Sequence, residues 1–78
     1  MNNPKSIADY YMERLRHERQ ERLMVLFFDA KCRLLEDVML SVGSATSAFV
    51  SPREIFLAAL RYSAVQIVLL HNHPSGVA

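Results

Sequence analysis

A chain of 78 residues has room for one small domain and not for two. Apolar residues make up 51% of it, which excludes a disordered composition, and a formal net charge of +1 gives no general pull toward nucleic acid or a membrane surface. The single cysteine, Cys32, excludes an intrachain disulfide and fits a reducing, cytoplasmic setting; no apolar run approaches a signal sequence or a membrane span.

Residues 1–6 are polar, hold Pro4 and read as a loose terminus. From Ile7 to Gln20 the residues are strong helix formers without Gly or Pro, and Ile7, Tyr11 and Leu15 recur at a spacing of four, which predicts a helix. Ser6 is its expected N-cap, with Asp9 three residues on. Glu13, Arg14, Arg16, Glu18, Arg19, Glu21 and Arg22 alternate in sign, which reads as a solvated face with local support such as Glu18 to Arg22, not as a nucleic-acid stripe. Leu23 to Phe28 is a continuous apolar run whose length and Phe and Val content predict a buried strand. After a turn at Asp29-Ala30-Lys31, Arg33 to Leu40 reads as a less regular hairpin partner, and Gly43 to Ser47 as a loop or irregular strand.

The second helix has the clearest start. Ser51 is an N-cap, Pro52 falls at N1 where a missing N–H costs nothing, and Glu54 falls at N3. It is expected to run to about Ser63, with Ile55, Phe56, Ala59, Leu60 and Tyr62 as its apolar face. Val65 to Leu70 follows as a strand, apolar on both faces apart from Gln66, which predicts a place inside a sheet. The hairpin supplies one neighbour; an unpaired second edge would invite self-association. The expected class is α/β in the broad sense, an α+β mixed sheet with flanking helices.

His71 and His73 follow that strand and meet Pro74-Ser75-Gly76. Residues two apart on a strand share a face and lie roughly 6–7 Å apart, so two imidazoles can lean toward one metal at about 2.0–2.1 Å from each nitrogen. Zinc suits such a pair, and a purely structural histidine at a strand end remains the alternative. A deaminase is set aside because position 73 is His and no cysteine pair follows. Cys32 in a turn without an adjacent base reads as incidental, and Ser75 lacks the Gly-x-Ser-x-Gly frame of a nucleophile elbow.

Glu21-x-x-x-Val25-Leu26-Phe27-x-Asp29, Gly43, Val50-x-Pro52-Arg53-Glu54-Ile55, Ala59-Leu60, Ala64 and His71-Asn72-His73-Pro74-Ser75-Gly76 resemble the RadC-like JAB domain, a bacterial branch of the JAMM (MPN-plus) metalloproteases. The resemblance covers Glu21 to Gly76 and is most specific in its closing hexapeptide. It divides the chain into a polar tail and charged helix, residues 1–20, and the N-terminal portion of a JAB domain, residues 21–78. It implies that His71 and His73 are two zinc ligands and that Glu21 holds the zinc-bound water as general base. Without the resemblance, Glu21 reads as a surface carboxylate at a charged helix end. The family's third ligand, an aspartate, and its oxyanion serine fall beyond Ala78, and Ser75 belongs to the turn instead.

Two functions are consistent with these residues. One is a zinc-dependent hydrolase of the JAMM type, cleaving a peptide or isopeptide bond, with this incomplete chain inactive by itself. The other is a non-enzymatic fragment or interaction module that associates through an exposed strand. A DNA-repair role rests on the family's traditional label alone, since no basic stripe with interleaved aromatics is present.

Overall fold

The computed structural model describes residues 3–41 and 51–74. The expected loop from Gly43 to Ser47 and the turn residues Ser75 and Gly76 lie outside the described residues. The elements are α1 (Pro4–Leu15), β1 (Arg22–Phe28), β2 (Leu34–Ser41), α2 (Pro52–Tyr62) and β3 (Gln66–His71). They form a three-stranded sheet in the order β2-β1-β3 with both pairings antiparallel, an α+β fold. Among the described residues no helix is long and apolar enough to cross a membrane.

β1 is the centre of the molecule because its side chains alternate between two helices. Met24, Leu26 and Phe28 point to one face, where Leu15 of α1 and Leu70 of β3 complete a buried cluster. Val25 and Phe27 point to the other and pack on Ala59 of α2, with Ile55, Ala58, Tyr62 and Ile67 around them. A continuous apolar run is what a strand covered on both faces requires. Each such side chain, fully buried, stabilises the fold by about 1.5–3 kcal/mol before entropy is counted.

The interior position predicted for the last strand therefore belongs to β1. β3 pairs with β1 alone among the described residues, and Leu69 remains 54% exposed because neither helix reaches over it. β2 is irregular for an identifiable reason. The register steps between Phe27 and Phe28, which pair with Glu36 and Leu34, so Leu35 is an extra residue bulged from the ladder. The hairpin turn is tied by Asp29, whose Oδ1 accepts from Lys31 N and Arg33 N, both at 2.9 Å. These bonds, Arg33 N–H first, hold the Asp29 carboxyl below the usual carboxylate range.

α1 starts and ends earlier than its composition predicts. Asn3, not Ser6, is the N-cap: its side chain accepts from Ser6 N at 2.8 Å, and Pro4 occupies the first turn. Proline there lacks only an N–H that would have no helical partner, so it starts the helix instead of marking a loose end. The helix stops at Leu15, and the Glu18–Arg22 pair at 3.2 Å forms between the following linker and β1 instead of along a helix. α2 begins as expected, with Ser51 Oγ accepting from Glu54 N at 3.2 Å. Its inward stripe is Ile55, Ala58, Ala59 and Tyr62, however, whereas Phe56 and Leu60 are 63% and 75% exposed.

Tyr11 ties α1 to β2 by donating its hydroxyl proton to Asp37 Oδ2. That bond, with partial burial, pushes the phenol from 10.0 up to about 12. A raised phenol pKa means that the neutral form is the one stabilised. The bond's contribution is thus complete below pH 10.0 and is lost as pH rises through about 12. An ultraviolet ionisation titration is expected to show one of the three tyrosines titrating late, and Tyr11→Phe should remove that step. Three tyrosines ionising together near the ordinary value would contradict the contact.

Candidate metal centre

The strand register brings Glu21 to the two histidines. β1 and β3 pair Leu23 with His71 and Met24 with Leu70. Continued past the strand ends, the same register sets Arg22 opposite Asn72 and Glu21 opposite His73, and Asn72 N donates to Arg22 O at 3.4 Å. Side chains alternate along each strand, so Glu21, His71 and His73 emerge on one side and Arg22 and Asn72 on the other.

The geometry follows this placement. His71 Nε2 lies 2.7 Å from Glu21 Oε2, with the side chains 38% and 39% exposed. The two imidazole rings meet edge to face, their centroids 4.8 Å apart and their planes at 68°. Glu21, His73, Arg19 and Pro74 line a cleft of about 270 Å³. A second cleft of about 250 Å³, between α1 and the β1–β2 face, is lined by Tyr11, Asp37 and Met39 among others and contains no such imidazole pair.

The donor set fits a metal ion. One ligand atom each from Glu21, His71 and His73 lie within 4.8 Å of one another. A tetrahedral ion with bonds of about 2.0–2.2 Å spaces its ligand atoms roughly 3.3–3.6 Å apart, so small side-chain rotations close the group. Two imidazole nitrogens and a carboxylate oxygen are donors that suit several divalent ions. Cys32 stands apart: it is exposed in the β1–β2 turn at φ 62°, the left-handed region.

Asn72 is the residue that sequence reasoning passed over. It is the one buried polar residue among those described, 3% exposed on the face opposite the imidazoles. Its Oδ1 accepts from Arg22 N at 2.6 Å, and its Nδ2 donates to Leu15 O and Gln20 O, both at 3.1 Å. A neutral amide has no ligand spacing to betray it; its place inside the His71–Gly76 hexapeptide was the signal, and no role followed from it.

The whole chain, residues 1–78, matches the RadC-like JAB domain family. It is 43% identical over 77 residues to a UPF0758 protein of Pseudoalteromonas translucida, an alignment covering 99% of this chain and 34% of that protein. It is 46% identical over 72 residues to a UPF0758 protein of Chlorobaculum parvum, covering 92% of this chain and 32% of that one. A UPF0758 protein of Clostridioides difficile is 42% identical over 74 residues, covering 95% and 32%. The chain thus spans about a third of the length of these curated relatives. On this match and the fold that accompanies it, the chain belongs to the RadC-like JAB domain family.

Proposed function

We propose that this chain supplies part of the active site of a zinc-dependent hydrolase acting on a peptide or isopeptide bond. The observation that carries the reading is the convergence of Glu21, His71 and His73, of which Glu21 and His73 line one cleft. His71 and His73 would hold the ion through imidazole nitrogens. When bound, zinc supplies a Lewis acid that polarises a carbonyl and lowers the pKa of water toward about 7.

The remaining chemistry falls to the chain's own side chains. The Glu21 carboxylate, beside His71, would take a proton from the attacking water and return it to the leaving amine. Both imidazoles are only partly covered or exposed, so solvent and an extended substrate can reach them. His71 Nε2 faces Glu21 Oε2 at 2.7 Å, so an ion held by that nitrogen would replace the contact and leave the carboxylate to serve as a base.

A centre with two histidines binds zinc less tightly than one with three protein ligands. The 78-residue chain is therefore expected to show weak zinc uptake and little or no peptidase activity. Adding a segment that brings the family's aspartate, fused or in trans, should raise zinc retention. A completed chain that still takes up no zinc would contradict the assignment.

A second reading, an interaction module, is favoured by one observation. β3 has a single sheet neighbour among the described residues, and Leu69 on it and Val65 just before it are exposed. Strand sharing there would give a concentration-dependent size in analytical ultracentrifugation, independent of zinc; a monomer at all concentrations would rule it out.

A further inference from the structure

We infer that Asn72 is a positioning residue that holds the two halves of the metal centre in register before any ion binds. This rests on the metal-centre reading for its purpose, though not for its geometry. The backbone neighbours of Asn72 are His71 and His73. The backbone neighbours of Glu21 are Gln20 and Arg22, and the Asn72 side chain bonds to both: Nδ2 to Gln20 O at 3.1 Å and Oδ1 to Arg22 N at 2.6 Å. One amide therefore brackets the base from either side while its own backbone carries the two imidazoles.

The third bond fixes where this bracket sits. Nδ2 also donates to Leu15 O at 3.1 Å, the carbonyl of the last residue of α1. A helix end leaves carbonyls without helical partners; Leu15 O accepts from Glu18 N at 3.0 Å and takes its second bond from 57 residues away. Only an asparagine side chain of this length offers an acceptor and two donors at these positions. Glutamine has the same groups on a longer arm, and aspartate keeps the acceptor but sets a negative charge against two carbonyl oxygens.

The bonds reach across 50, 52 and 57 residues of sequence, so local propensity cannot replace them. Glu21 lies in the linker between α1 and β1, where its own contact to His71 and the Asn72 N–Arg22 O bond at 3.4 Å also reach it, and the amide adds the bonds that fix the backbone on both sides of it. Pre-ordering of this kind is how residues outside the ligand set tune a metal site, commonly by 10–100-fold in affinity.

The test uses the 78-residue chain, Zn²⁺ alone as the probe, and the variants Asn72→Ala and Asn72→Asp, with Asp29→Ala as a control that loosens the β1–β2 turn at the opposite end of β1. In the metal-free wild type and in Asp29→Ala, nuclear Overhauser cross-peaks between the Glu21 and His71 side chains should be present. In both Asn72 variants these cross-peaks should vanish, and calorimetric Zn²⁺ affinity should fall about tenfold or more. Persisting cross-peaks with zinc affinity unchanged would overturn the proposal.

If the Asn72 variants do not fold, hydrogen exchange of the Arg22 amide in the wild type decides. Protection already complete without metal is expected, whereas protection that appears only on adding Zn²⁺ would mean that the ion, not Asn72, orders the segment. A different outcome separates the two readings. If the wild type takes up no Zn²⁺, yet its Glu21–His71 cross-peaks are present and vanish in Asn72→Ala, the metal reading falls and the positioning role stands.

Discussion

Replacing His71 with alanine is expected to lower the affinity of the chain for Zn²⁺ on the order of a hundredfold, or beyond detection. His71 is one of only two imidazoles in the group, and its Nε2 is the atom that faces Glu21 at 2.7 Å. What remains, an exposed His73 and a carboxylate, is a pairing found on many surfaces without a metal. His73→Ala should have a similar effect on zinc, since the two rings stand 4.8 Å apart and neither alone chelates. Stability should change little in either case. The His71–Glu21 pair is more than a third exposed, and partly solvated pairs contribute at most about 1 kcal/mol. Calorimetric titration with Zn²⁺ beside thermal melting separates the two effects. Cys32→Ser, altering an exposed thiol in a remote turn, should bind as the parent does. If both histidine variants retain parental affinity, the ion is held elsewhere.

Glu21→Gln should lower the hydrolytic rate of a completed chain by about 10²–10⁴-fold while leaving zinc bound. The substitution preserves size and one acceptor oxygen but removes the basicity that proton transfer requires. It also distinguishes two uses of the same carboxylate. The three donors lie within 4.8 Å, so Glu21 could itself be a ligand, and the variant would then lose metal and activity together. Elemental analysis after dialysis, run beside the rate measurement, tells a base from a ligand. Retained activity with retained zinc would remove Glu21 from the chemistry altogether.

Local signals carried the sequence reading where structure is local. Ser51, Pro52 and Glu54 mark the start of α2 because capping depends on residues three positions apart. The apolar run at β1 and the hairpin partner were equally legible. Long-range pairings were not. Composition extends α1 to Gln20, but the Leu15 and Gln20 carbonyls are both taken by Asn72, and the chain turns between them to enter the sheet. Which strand is central depends on the helix faces above and below it, and β1 and β3 look alike in hydrophobicity. At the centre, the spacing of His71 and His73 was visible, and the resemblance picked out Glu21. The register that joins them was hidden until β1 and β3 were paired.

X-ray absorption at the zinc edge of the zinc-loaded 78-residue chain tests the centre most directly. Two imidazole scattering signatures at about 2.0–2.1 Å are expected, both absent when His71 and His73 are replaced together. A spectrum lacking imidazole, or one dominated by sulfur at about 2.3 Å, would place the ion away from Glu21, His71 and His73 and contradict the centre described above.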